Sequence, residues 1–128
     1  MTGVVHLFDL ASQQARWLSA RHIAIASNIA NVNTPGYKAA DVAPFEAVFN
    51  DSNATLTITN PLHIGVDPLS AEALAAKGEG HPWEVSHSGN SVSIEQEMLK
   101  SGELMSAFSL NRAVTKAFNQ MLMTSLKG

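Results

Sequence analysis

A chain of 128 residues has the length of one ordinary domain and can bury one hydrophobic core. Eight basic and eleven acidic side chains leave a net charge of −3 with no basic cluster, which argues against nucleic acid as a partner. The absence of cysteine removes disulfides, thiolate metal sites and thiol catalysis. Apolar residues make up 45% of the chain but aromatics only 6%, so Ala, Leu, Val and Ile carry the apolar content, and such small residues suit close helix packing. Charged residues amount to 15%, below the usual level of roughly a quarter, and a surface so poor in charge is expected to be covered by neighbours. No apolar run approaches the ~20 residues of a membrane span, so the chain is not expected to span a membrane. The first thirty residues are amphipathic and lack the basic-then-apolar order of a cleaved secretory signal.

Residues 4–32 carry apolar positions at Val4, Phe8, Ala11, Ala15, Leu18, Ile25, Ile29 and Val32, with His22 as the one interruption. The alternating spacing of four and three predicts a long helix with a heptad seam. Leu7, Leu10, Trp17 and Ala24 form a second stripe that widens the face. Such a helix needs partners.

The string Asn33-Thr34-Pro35-Gly36 ends it. Proline supplies a φ near −65° and glycine the positive φ of a type II turn, and Thr34, preceding the proline, is pushed out of the helical region. The middle of the chain, residues 37–93, is turn-rich and is expected to form a small irregular module. Val42, Phe45, Val48 and Phe49 fit either one amphipathic turn or a strand. Residues 56–59 alternate as a short strand, residues 70–77 read as a short Ala-rich helix, and residues 83–85 read as another short strand.

A second long helix begins at Ser93, where Ser93 and Gln96 stand as a capping box and Glu95 and Glu97 complement the helix dipole. Its broad apolar face includes Leu110, Val114, Phe118, Met121 and Leu122. Gly102 is a weak point at which this helix could break. The fold class expected is therefore mainly α. Long N- and C-terminal helices pair as a hairpin or coiled coil around a small irregular middle region with short strands. Residues 1–33 and 93–128 make one discontinuous helical domain, and residues 34–92 make the insert.

The most specific string runs Ala26-Ser27-Asn28-Ile29-Ala30-Asn31-Val32-Asn33-Thr34-Pro35-Gly36-Tyr37-Lys38. It resembles the N-terminal signature of the flagellar rod and hook family. Downstream, Thr59-Asn60-Pro61 with His63-Ile64, and Gly89-Asn90-Ser91-Val92 before Glu95, Glu97 and Met98, resemble proximal members of that family, as does the short middle region. The resemblance implies a structural subunit of the proximal rod within the periplasm, part of a tubular drive shaft that transmits torque and encloses the export channel. It implies export through the flagellar type III gate without a cleaved signal. The partners it implies are other copies of the chain, other proximal rod subunits, the rod-base adaptor and membrane-ring proteins. The export feature of the family, a Phe followed four residues later by an apolar residue, is not matched, since Phe8 is followed at that distance by Ser12.

Under this reading, the subunit interface falls on Phe8, Ala11, Ala15, Leu18, His22, Ile25, Asn28, Ile29 and Asn31 of the first helix, and on Leu110, Val114, Phe118, Met121 and Leu122 of the second. The turn residues Asn33, Thr34, Pro35, Gly36 and Tyr37, together with Asn90, complete the motif. Asn28 and Asn31 are poor helix formers because their amides compete for backbone groups. Either they bond a neighbouring helix end or the turn and fix register between subunits, or they are local caps fraying the helix towards Pro35. The five histidines have no recognised metal spacing, and the serines before the second helix read as caps, so neither a cofactor nor an enzymatic role is expected. Two other readings stay open: another rod or hook subunit, and a helical export adaptor or chaperone.

Overall fold

The computed structural model describes residues 2–53 and 85–128. Three helices lie within them: α1 (Thr2–Ala30), α2 (Phe45–Asn53) and α3 (Ile94–Lys127). At ~1.5 Å per residue the long helices measure roughly 43 and 51 Å. They run antiparallel and in contact. Asn28 meets Glu97 near one end of the pair, Leu18 and Ile25 meet Leu104 further along, and Asn111 reaches Ala11 and Gln14 beyond.

Polar geometry closes α1. The Asn31 amide is shared between the carbonyls of Ser27 and Asn28, both at 3.1 Å, and Val32 bonds Ile29 at 3.3 Å, so the final turn tightens before the chain leaves it. Thr34 to Tyr37 then forms the expected turn. The Tyr37 amide donates to the Thr34 carbonyl at 3.2 Å across Pro35 and Gly36, and Gly36 has φ +74°.

The chain next doubles back along α1. Trp17 anchors this return, its indole nitrogen donating to the Ala43 carbonyl at 2.7 Å and its ring standing edge-on to Phe45 at 5.9 Å. The segment holding Val42, Phe45, Val48 and Phe49, which sequence left open between a turn and a strand, continues into α2. There Phe45, Val48 and Phe49 share one face at helical spacing. Val42, Val48 and Ala20 form one apolar cluster with Trp17 and Ala43. Leu18, Ile25 and Leu104 form the other, against Trp17, Ala107 and Phe108. Trp17 thus belongs to both, and α1 is the middle layer. Each Leu- or Ile-sized side chain buried there contributes roughly 1.5–3 kcal/mol.

The seam of α1 is rotated from the expected one. Phe8, Ala11 and Ala15 are half-buried and Leu18 and Ile25 are buried, but His22 and Ile29 face outward. Gln14, Arg21 and Asn28 stand on the α3 side instead. The reason is that their polar ends find partners there, so a face that looks broken by polar residues is the one that packs.

Ser93 caps α3, its hydroxyl accepting from the Gln96 amide at 3.5 Å and donating to the Glu95 carboxylate at 3.1 Å. The helix runs unbroken through Gly102, so the break considered there does not occur. Among the described residues there is no strand; Val85 is irregular, and the strand expected at 56–59 and the helix at 70–77 lie outside the described residues, as do 83 and 84.

Candidate functional site

The first feature is a polar junction where three segments meet at the end of α1. Asn28 is 0% exposed. Its side chain pairs with both main-chain groups of Ala40, donating to the carbonyl at 2.7 Å and accepting from the amide at 2.9 Å. Its second N–H donates to the Glu97 carboxylate at 3.1 Å. The amide group thereby mimics a neighbouring strand, and its donors are fully used inside the chain.

Glu97 is equally buried, and its charge is met by Lys100 at 3.6 Å. Lys100 also lies 3.4 Å from Asp41, and Asp41 lies 3.4 Å from Arg21, whose guanidinium stacks 5.7 Å from the Trp17 ring centre. An alternating row of charges, Glu97, Lys100, Asp41, Arg21, therefore ties α3 through the returning segment to α1. Breaking one member leaves a buried charge uncompensated, which costs far more than the pair contributes net.

Asn90 makes the second half of the junction. Buried between turns, it donates to the carbonyls of Asn31 and Thr34 at 2.9 and 2.7 Å, and its own oxygen accepts from the Val92 amide at 2.8 Å. A residue 59 positions away thus satisfies a carbonyl left over at the end of α1. The two loops are laced further by Gly36 to Ser88 at 2.9 Å, Ser91 to Tyr37 at 3.0 Å, Ala39 to the Ser91 hydroxyl at 2.7 Å and Lys38 to the Gly89 carbonyl at 2.9 Å. Gly89, with φ +81°, lies against Gly36 so closely that a β-carbon on it would stand 3.6 Å from the Gly36 Cα.

The two stretches that stand out in the sequence, Ala26 to Lys38 and Gly89 to Val92, are therefore one object in space. Within it Asn28 and Asn31 part company. Asn31 bonds locally, to the Ser27 carbonyl and the Thr34 hydroxyl, as a helix-end cap does. Asn33, Thr34, Pro35 and Gly36 form the exposed outer rim, and Tyr37 is half-buried with its hydroxyl 3.1 Å from that of Ser27. Nothing in the sequence marks Lys100, Asp41 or Arg21, while Gly89 stands out only within the Gly89 to Val92 string and Glu97 only as a dipole partner that follows it.

The second feature is what α3 leaves uncovered. Only Gln96, Glu97 and Leu104 are buried along its 34 residues. Leu110 is 66% exposed, Met121 65% and Val114 37%, while Phe118 and Leu122 are half-buried. Met98, Leu99, Met105, Met123 and Leu126 are exposed as well, as is Ile23 on α1. Leu110, Val114 and Met121 share one side of α3 and Met98, Met105 and Met123 another, and apolar surface left open to this extent marks surfaces that meet something else. Among the described residues no helix is long and apolar enough to cross a membrane.

Known proteins resemble the chain in sequence, over the motif and over nearly its whole length. A family profile described as flagella basal body rod protein matches residues 18–38, which span the Asn28 to Lys38 part of the junction. The flagellar basal body rod protein FlgB of Agrobacterium fabrum is 42% identical over 127 residues, covering 96% of this chain and 94% of the relative. The flagellar basal body rod protein FlgB of Cereibacter sphaeroides strain ATCC 17029 is 30% identical over 132 residues, covering 100% of this chain and 99% of the relative. The same identity and coverage hold for the protein of that name in strain ATCC 17023. With the helix-end half of its junction inside the matched region and relatives similar over nearly the whole chain, the chain belongs to the flagellar basal body rod protein family and is a structural subunit of the proximal rod.

Proposed function

We propose that α1 and α3 form one discontinuous helical domain that builds the rod, and that the uncovered face of α3 is its assembly surface. The observation carrying this reading is the row Leu110, Val114 and Met121, all exposed on a helix whose other side is already packed on α1. In the tube, that face lies against helices of neighbouring subunits. Torque passes through many packed side chains at once, because close-packed interiors deform little. Phe118 and Leu122 join the face, with His22 and Ile29 of α1 at a second contact. Leu18, Ile25 and Asn28 act one step back, holding the pair so that the outer faces keep their geometry.

The neighbours proposed are other copies of the chain, other proximal rod subunits, the rod-base adaptor and the membrane-ring proteins. Passage through the flagellar type III export gate into the periplasm, without signal cleavage, precedes assembly. The role is mechanical, with no catalytic step and no cofactor. The test is fractionation of basal bodies from cells carrying Leu110→Asp with Val114→Asp. Loss of the subunit from the rod, with export and folding intact, is expected. A variant that still enters basal bodies and supports motility overturns the assignment of this face.

A further inference from the structure

Charge is divided along α3 in a way that packing on α1 does not require. Residues 94–103 hold three acids, Glu95, Glu97 and Glu103, and one base, Lys100. From Leu104 to Gly128 there is no acid, and the bases are Arg112, Lys116 and Lys127. The helix dipole accounts for charges in the first and last turns only, so it covers Glu95 and Lys127 but not Glu103, Arg112 or Lys116. At 3.6 residues per turn the three bases fall within an arc of roughly 60°, forming a single stripe. All three are exposed, and among the described residues no ion pair reaches them.

Arg112 and Lys116 edge a groove beside the α1–α3 contact whose apolar lining includes Phe8, Ala15 and Phe108. Near the other end of the pair, Glu95, Leu99 and Glu103 stand four residues apart and exposed, an acid–apolar–acid ridge. Glu103 is held only loosely, 3.9 Å from Arg21 with its side chain 70% exposed. Leu99 and Arg112 lie thirteen residues apart on a rigid helix, about 20 Å, so a chain cannot seat its own ridge in its own groove.

We propose that the groove edged by Arg112 and Lys116 takes the Glu95–Leu99–Glu103 ridge of a second copy, so that copies join head to tail. The occupant is set by complementarity of both kinds: an apolar residue between two acids for an apolar groove edged by two bases. A contact between two different patches is heterologous and leaves a free patch at each end, which suits extension along an axis. This inference rests on the rod reading and adds the ends through which copies meet.

The experiment is sedimentation velocity of the full chain over a concentration series in about 50 mM and about 500 mM salt, since screening at the higher value shortens the range of charge attraction severalfold. Mass rising with concentration at low salt, and at least tenfold weaker association at high salt, is expected. Arg112→Glu with Lys116→Glu, and separately Glu95→Lys with Glu103→Lys, each weaken self-association by tenfold or more. Mixing the two variants restores pairing, because each then offers one intact patch to the other. Circular dichroism confirms folding, and the neutral Gln variants at the same positions replace any reversal that fails to fold. A wild-type monomer at every concentration overturns the proposal, as does association indifferent to salt and to both reversals, or a mixture that does not pair. Basal-body fractionation separates this from the rod reading. A chain found in the rod yet monomeric in solution loses only the head-to-tail docking; one that docks but is absent from rods counts against the rod reading alone.

Discussion

The amide of Asn28 donates to the carboxylate of Glu97 at 3.1 Å although the two residues are 69 positions apart, and neither is exposed to solvent. The same Asn28 side chain closes a two-way bond with the main chain of Ala40. One side chain therefore holds α1, the returning segment and α3 in a single register. In a long helix pair with wide apolar faces, slippage by a heptad keeps much of the burial, and a satisfied polar contact is what penalises it.

Asn28→Ala removes the partner of the part-buried Ala40 amide and carbonyl and leaves the buried Glu97 Oε1 with Lys100 alone. A loss of about 3 kcal/mol or more is expected, measured by urea unfolding. Asn28→Asp is expected to be worse at neutral pH, because it removes both donors and sets a second negative charge against Glu97. An Asp variant as stable as wild type would show that Glu97 is not held as described.

Asn90→Ala removes the donor to Asn31 and Thr34 and the acceptor for Val92. The expected cost is about 1–3 kcal/mol, the penalty for buried polar groups left unpaired. Hydrogen exchange reads the location: the amides of Thr34, Gly36 and Tyr37 and those of residues 88–92 should lose protection first, ahead of those at the middle of α3.

Three glycines give opposite signs. Gly36→Ala and Gly89→Ala each force a side chain into positive φ, at a cost of about 1–2 kcal/mol. Gly102→Ala meets nothing within 4 Å on an uninterrupted helix and should stabilise by about 0.5–1 kcal/mol. Thermal unfolding of the three variants checks the order.

Burial separates folding from assembly. Leu104→Ala, at 1% exposure, should destabilise the chain by about 2–5 kcal/mol. Met121→Asp, on the open face, should leave unfolding within about 0.5 kcal/mol of wild type while motility in soft agar is lost. Equal effects of the two on unfolding would place Met121 inside the fold.

Much of the fold could be read from one dimension. Helical periodicity, the Ser93 cap and the Pro35-Gly36 turn are local signals, each set by backbone preference or by neighbours a few residues away, and the structure has the helix, the cap and the turn. The stretches around Asn28 and Asn90 were also visible as unusual strings. Tertiary structure decided what they do. It rotated the α1 seam so that Arg21 and Asn28 pack while His22 and Ile29 face out, because partners in α3 and the returning segment satisfy polar ends that a hydrophobic pattern counts as breaks. It made Asn90 the cap of a helix 59 residues away, and joined Gly36 to Gly89. Hydrogen bonds and ion pairs between distant segments depend on distance and direction in space, and periodicity along the chain carries neither.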